Sequence, residues 1–255
     1  LTKIFNYDKY QGVRLGPGAK LNEKFSKTFS PDAYFGFGFR DHTWKYGAGL
    51  DVKLSEKRTS IFRVDYSDDV FAAGRISTAL WDNPMKLKDL GVDLYNANFY
   101  QSKKFGASFL YDVSNSLTAK IGLNHENQNA LFDYQYQNLG NSFKNVSTTV
   151  SLKFSPNDKN MMTPGGKLTY EKKFPQFFLN YEMGSKIFDG ELNYHRLDAL
   201  AIHQFRSKLG TTTLKFLGGI SSGTAPIWKN FEITGQTNGS SENWTSKINT
   251  PSTLG

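Results

Sequence analysis

The sequence predicts an all-β chain: a transmembrane antiparallel β-barrel of the outer-membrane kind, with about ten or more strands visible and the wall incomplete. Three observations carry that expectation. Aromatic residues reach 15% while all hydrophobic residues together reach only 38%, and 21 Phe, 13 Tyr and 23 Gly favour strands and turns over helices. Apolar and polar residues alternate with a period of two over about ten residues, the length a tilted strand needs to cross a bilayer. Most strands of soluble domains are nearer five or six. Compact polar turns also alternate with longer connections, the end-to-end asymmetry of outer-membrane barrels.

The alternation is clearest near the start. Over 13–21 the odd positions are apolar and the even ones are Arg14, Gly16, Gly18 and Lys20. From 29 to 39 the odd positions read Phe, Pro, Ala, Phe, Phe, Phe, and from 44 to 54 the even ones read Trp, Tyr, Ala, Leu, Val, Leu. A four-residue loop Arg40-Asp41-His42-Thr43 would set Phe39 opposite Trp44, Phe37 opposite Tyr46 and Phe35 opposite Ala48. A turn over 55–59 would set Val52 opposite Phe62, Leu50 opposite Val64, Ala48 opposite Tyr66 and, on the other face, Asp51 opposite Arg63. Later strands are expected over 105–113, 117–123, 146–154, 175–183, 190–205 and 211–220. Both parities are apolar over 197–205, which implies a bulge or a stretch packed on both sides. Residues 130–137 fit either a strand or a loop. Short or moderate polar turns are expected after Leu21, Leu54, Val113 and Phe154 and near Arg206; the long connections are expected at about 68–98 and 124–145. Residues 1–234 form the expected barrel segment, and 235–255, rich in Ser, Thr, Asn and Gly, the expected loop or disordered tail. Beginning at Leu1 and ending at Gly255, the chain is expected to be a mature or internal piece of a longer protein.

Periodicity alone does not separate a barrel from a soluble sandwich, since both need one apolar and one polar face. No stretch approaches the roughly 18 consecutive apolar residues of a membrane helix, and a mean hydropathy of -0.51 is compatible with a barrel, where every second residue faces lipid. With no cysteine, a chain of this size must rely on backbone pairing or a core. The net charge of +8 is scattered, with only short runs such as Lys103-Lys104 and Lys172-Lys173. That distribution fits a solvated or lumen-lining role and not a nucleic-acid patch.

Candidate sites are few. Arg14, Lys45, Asp51, Arg63 and Asp65 are expected to face the lumen, and Phe35, Phe37, Phe39, Trp44 and Tyr46 to form part of an aromatic girdle. A stacking platform for sugars or bases is the alternative for the same aromatics. The pairs Gly16/Gly18, Gly36/Gly38 and Gly47/Gly49 precede no helix that could cradle a phosphate, and read as places where the sheet bends or something approaches the wall. His195 and Asp198 differ in parity, so they point to opposite faces, and no serine is spaced to act as a nucleophile. His42, His125 and His203 read as surface residues, while Asp68-Asp69 and Asp41-His42 are too sparse for a metal. No catalytic residue, cofactor or metal ligand is therefore expected.

Several stretches resemble a known family: Gly12-Val13-Arg14-Leu15-Gly16, Asn22-Glu23-Lys24-Phe25-Ser26-Lys27, Tyr34-Phe35-Gly36-Phe37-Gly38-Phe39-Arg40-Asp41 and Trp44-Lys45-Tyr46-Gly47-Ala48, then Phe174-Pro175-Gln176-Phe177-Phe178-Leu179-Asn180-Tyr181, Tyr194-His195-Arg196-Leu197, Leu217-Gly218-Gly219 and Thr224-Ala225-Pro226. In order and spacing they resemble Bacteroidota outer-membrane proteins in which a carboxypeptidase-regulatory-like domain precedes a barrel of unknown function. That barrel is similar to the BamA-like surface-antigen superfamily, whose members insert or translocate proteins through a sixteen-stranded barrel with a lumenal loop. The superfamily's Arg-Gly-Phe/Tyr loop signature is absent here in that form, so the resemblance implies the barrel and does not carry the insertase activity over. The expectation is a non-enzymatic outer-membrane barrel acting in outer-membrane protein assembly, transport or complex scaffolding. Its expected partners are outer-membrane lipid, lipopolysaccharide and other outer-membrane or periplasmic proteins, with no nucleic acid. The alternatives are an outer-membrane hydrolase and a soluble β-sandwich that binds carbohydrate.

Overall fold

The computed structural model describes residues 5–21, 24–55, 58–72, 80, 92–93, 98–136, 140–163, 166–208 and 210–230. The strands are β1 (Phe5–Asp8), β2 (Gly12–Leu15), β3 (Gly18–Lys20), β4 (Phe29–Gly38), β5 (Trp44–Lys53), β6 (Ser60–Ala72), β7 (Val92–Asp93), β8 (Phe99–Asp112), β9 (Leu117–Ala130), β10 (Ser142–Phe154), β11 (Lys159–Thr163), β12 (Gly166–Glu171), β13 (Gln176–Ser185), β14 (Asn193–Ser207) and β15 (Gly210–Thr224). Thirteen join one sheet in the order β15-β14-β13-β10-β9-β8-β6-β5-β4-β2-β1-β7, with β3 also on β4, while β11 and β12 form a separate hairpin. Every pairing is antiparallel except a two-residue parallel match of β7 with β1. The edges β15 and β7 do not pair with each other, so the sheet is open among the described residues. It is nonetheless curled. Tyr10, between β1 and β2, stacks 6.3 Å from Phe99 at the start of β8, five places away in strand order.

The β5–β6 register pairs Val52 with Phe62, Leu50 with Val64, Ala48 with Tyr66 and Asp51 with Arg63, matching the expectation. The β4–β5 register differs from it by two residues: Phe37 faces Trp44, Phe35 faces Tyr46 and Ala33 faces Ala48. The loop is longer than four residues because the Gly38 amide donates to the Thr43 carbonyl, while Phe39 and Arg40 donate to Val13 and Gln11 of the neighbouring segment. His42 takes a left-handed φ of 51° to make the turn. A two-residue slip preserves parity, so the faces stand although the partners change.

Three connections also differ from the sequence expectation. Residues 68–72, expected to open a long connection, close β6 instead. The stretch 124–129, expected in a long loop, lies within β9; it is polar on both parities, so the alternation signal stops while the strand continues. Of the stretch 130–137, only Ala130 is in a strand; residues 131–136 are irregular, and Gln137 lies outside the described residues. The connection after Phe154, expected to be a short or moderate turn, contains the whole β11–β12 hairpin. Over 197–205 the β13–β14–β15 register runs without a shift, and Leu200 and Ile202 are buried on the inner face, so no bulge is present. The tail 235–255, any strand from Phe231 onward and most of 73–97 lie outside the described residues.

The two faces of the sheet invert the usual soluble pattern. Following the register across nine strands gives the outward row Phe29, Val52, Phe62, Phe109, Ile121, Val150, Tyr181, Leu197 and Ile220. The two rows on each side of it contain no Asp, Glu, Lys or Arg. Five rows span roughly 27 Å along the strands at about 3.4 Å per residue. Many of these side chains are exposed, including Phe62, Phe105, Ile121, Leu123 and Phe154. The charged and amide side chains are instead buried on the inner face: Arg14, Lys45, Glu126, Gln128, Asn145, Asn180, Glu182, Arg196 and Asp198.

Candidate functional site

The inner face holds two polar clusters. In the first, contributed by β2 to β6, Arg14 forms an ion pair with Asp69 at 2.5 Å, and the Tyr34 hydroxyl donates to the same carboxylate at 2.8 Å. Arg63 lies between Asp32 at 2.7 Å, Asp51 at 2.8 Å and Asp65 at 3.4 Å, while Lys20 reaches Asp51 at 2.6 Å. Lys45 pairs with Asp41 and Thr43. Arg14, Lys45, Asp51, Arg63 and Asp65 thus all stand on the polar face, and their partners Asp32, Asp41 and Asp69 complete a ladder of charge pairs. Glycine gives these chains room to lie along the sheet. A Cβ at Gly47 would meet the Tyr34 ring at 2.5 Å, so what approaches the wall there is the neighbouring strand's own side chain.

The second cluster surrounds a segment that turns back into the interior. After β15 the chain enters a short 3-10 turn, Ile227–Lys229, and Trp228 is 2% exposed. Its indole stacks on Tyr100 at 5.1 Å and 12°, and meets Phe143 at 5.3 Å and Tyr134 at 5.5 Å edge-on. The Trp228 Nε1 donates to Gln128 at 2.8 Å, and the Ile227 amide donates to the Tyr134 hydroxyl at 3.0 Å. This is the apolar core cluster among the described residues, built with Ala130, Leu192, Tyr194 and Ala225. Beside it Lys229 donates to Glu182 at 2.6 Å, which also accepts from the Tyr194 hydroxyl at 2.5 Å; Asn145 donates to that hydroxyl at 3.2 Å. Burial alone would push the Lys229 ammonium down, but the facing Glu182, with Tyr194 and Glu126, holds its pKa well above that of an ordinary lysine. A Cβ at Gly184 would sit 2.2 Å from the Tyr194 ring, so only glycine leaves this tyrosine its place. One row further along, Arg196 contacts Asp198 at 3.3 Å, and Ser151 donates to Asn180 at 2.5 Å.

Parity could have revealed part of the second cluster: Asn180/Glu182 and Arg196/Asp198 are polar residues two apart, opposite in phase to apolar neighbours, whereas Glu126/Gln128 lie in a run polar on both parities. The contribution of Trp228 and Lys229 rests on long-range packing that no local pattern announces.

The outward aromatics Phe35, Phe39, Trp44 and Tyr46 are exposed, and Phe37 is half-buried between Phe39 at 5.6 Å and Trp44 at 5.1 Å. They border a row of different character, Tyr46–Asp68–Lys103–Asn127–Lys144, beyond the uncharged rows. Asp68 and Asp69 lie on β6 and not in a loop; Asp68 accepts from Gln101 at 2.6 Å while Asp69 faces Arg14. The histidines are dispersed. His125 meets Asp189 at 2.8 Å, His195 meets the Tyr181 hydroxyl at 2.7 Å, and His203 stacks edge-on against Phe205 at 4.3 Å. His195 is exposed and Asp198 is buried on the other face. Among the described residues no three His, Cys, Asp or Glu side chains converge as metal ligands would.

A single curled antiparallel sheet, with apolar side chains outside and an ion-paired, partly plugged interior, defines an all-β protein of inside-out polarity. Residues 1–220 match the C-terminal domain of DUF5686, a family of unknown function, and the chain belongs to that family. No curated protein and no solved structure matches it.

Proposed function

We propose that the chain forms most of the wall of a bacterial outer-membrane β-barrel, non-enzymatic, that serves outer-membrane protein assembly, transport or the scaffolding of a complex. The single observation that carries this reading is the inverted polarity: five uncharged outward rows, roughly 27 Å along the strands at about 3.4 Å per residue, against an inner face of buried charge pairs. An outward apolar band of about 25 Å bounded by aromatic residues is what lipid requires of a barrel. The aromatics Phe35, Phe37, Phe39, Trp44 and Tyr46, beside the charged row with Lys103 and Lys144, suit the headgroup level. Lipid and lipopolysaccharide are then the immediate partners. The resemblance to Bacteroidota proteins carrying a carboxypeptidase-regulatory-like domain and a BamA-like surface-antigen barrel supports the same localisation. Separate partners for His195 and Asp198, on opposite faces, favour a wall over a hydrolase.

Ile121 provides the test. It is 51% exposed at the middle of the uncharged rows. In water, Ile121→Arg is a surface change within about 0.5 kcal/mol of neutral; facing lipid, it costs about 2–4 kcal/mol near the bilayer midplane. Reconstituted in lipid, the variant is expected to show a reduced fraction of the fast-migrating folded form on unheated gels, and extraction of the natural protein is expected to need detergent. Release by salt alone, with Ile121→Arg folding normally, refutes the proposal.

A further inference from the structure

The β11–β12 hairpin lies between β10 and β13 in the chain but does not join their sheet. It folds along the turn-side rim, and its polar tethers run to the inner side of two other turns. Lys167 is the centre: its amide donates to Thr59 Oγ1 at 2.9 Å, and its ammonium pairs with Asp112 at 2.7 Å and donates to Thr118 Oγ1 at 2.9 Å. Asn160 donates to the Asn115 carbonyl at 2.9 Å. Asp112 is 4% exposed and has the parity of the inner face, so the hairpin sits over the interior and not on the outward surface. Its base is held by Asp158, which accepts from the Lys173 amide at 2.7 Å and from Gln176 at 2.9 Å.

What the hairpin lacks is apolar burial. Met161, Met162, Leu168 and Tyr170 are all exposed, and no described residue of the two strands is buried. A two-stranded hairpin is marginal by itself, and a segment held only by polar tethers opens at low free-energy cost. The opposite end of the interior is filled by a different element, the Trp228 segment, anchored by packing.

We propose that β11–β12 is a hinged strap that closes the turn-side end of the interior, latched by Lys167 in Asp112 and opening independently of the Trp228 segment. The proposal rests on the reading of the polar face as a barrel lumen. Because the sequence contains no cysteine, a single probe reports it cleanly: Ser151→Cys, inward and 3% exposed, one row deeper than the Asp112–Thr118 pair. The full chain is reconstituted in liposomes and labelled with a water-soluble maleimide. Lys167→Ala is expected to raise the labelling rate of the probe about tenfold, in proportion to the open population. Lys167→Arg is expected to leave it within about twofold of the parent, since a guanidinium still pairs with the Asp112 carboxylate. As a second measurement, hydrogen exchange at the β11 and β12 amides is expected to accelerate in Lys167→Ala while the amides of β9 and β10 stay protected. Unchanged labelling with unchanged exchange overturns the strap, and so does faster labelling accompanied by loss of protection in β9 and β10. An Ile121→Cys control separates the two readings: rapid labelling there in liposomes defeats the membrane proposal, whatever the strap does.

Discussion

The ion pair between Lys229 and Glu182 joins the inward segment to the wall, and breaking it on one side is predicted to be strongly destabilising. Their side chains are 9% and 10% exposed, at 2.6 Å. Converting Lys229 to Met keeps most of the stem and its packing but leaves the Glu182 carboxylate buried with the Tyr194 hydroxyl as its remaining donor. Breaking a buried pair on one side costs about 3–5 kcal/mol, because the surviving charge is stranded. Glu182→Gln strands the ammonium in the same way. The double variant, Lys229→Met with Glu182→Gln, strands neither, so it is expected to lie closer to the parent than either single change. The coupling should then be of the order of 2–3 kcal/mol. Urea unfolding of the reconstituted protein measures it, with Trp228 emission as a local reporter once Trp44, Trp81 and Trp244 are changed to Phe. Each single variant is expected to shift that emission to the red as the indole leaves Gln128 and Tyr100. A coupling below about 0.5 kcal/mol, or an unmoved Trp228 spectrum in Lys229→Met, would refute the claim that this pair holds the segment in place.

Gly184→Val places carbon where the Tyr194 ring lies 2.2 Å away. It should lower stability by about 1–3 kcal/mol, measured as the unfolding midpoint, with the loss relieved when Tyr194→Leu is combined with it. Arg63→Ala leaves Asp32, Asp51 and Asp65 facing one another. With the guanidinium about a quarter exposed, the expected cost is roughly 1–2 kcal/mol after allowing for solvent screening. Repeating the unfolding in high salt should shrink that difference; an equal loss at both ionic strengths would argue against an electrostatic origin.

Faces were far more legible in the sequence than partners. Parity alone separates Arg14, Lys45, Asp51, Arg63 and Asp65 from Phe35, Trp44 and Tyr46, because side-chain direction in a strand has a period of two. The β4–β5 register lies two residues from the one a four-residue loop would set, because it depends on how Phe39 and Arg40 are used. Phe39 bonds to Val13 of β2 and Arg40 to Gln11 just before it, partners that lie outside the hairpin. The polar run 124–129 hid the end of β9, since alternation is visible only where one face is apolar. The β11–β12 hairpin was concealed for the opposite reason. Pro164-Gly165-Gly166 is a strong turn signal, but the flanking strands bury neither face and so carry no alternation long enough to read.

The same physics explains why the ends of the interior are built so differently. At the loop end, the Trp228 segment buries aromatic surface and neutralises its one cation against Glu182. Separating it would expose both the ring cluster and a stranded charge. At the turn end, Lys167 holds the strap by one ion pair and a few hydrogen bonds, with its apolar residues turned away. An interior closed strongly on one side and weakly on the other favours movement at the weak side first. On the membrane reading proposed above, the weak side lies at the turn end, away from the Trp228 segment. Lys167→Ala should therefore expose Ser151→Cys without moving Trp228 emission, whereas Lys229→Met should move Trp228 and leave Ser151→Cys protected. If either change produces both effects, the two closures are one cooperative unit and the order of opening inferred from their packing is wrong.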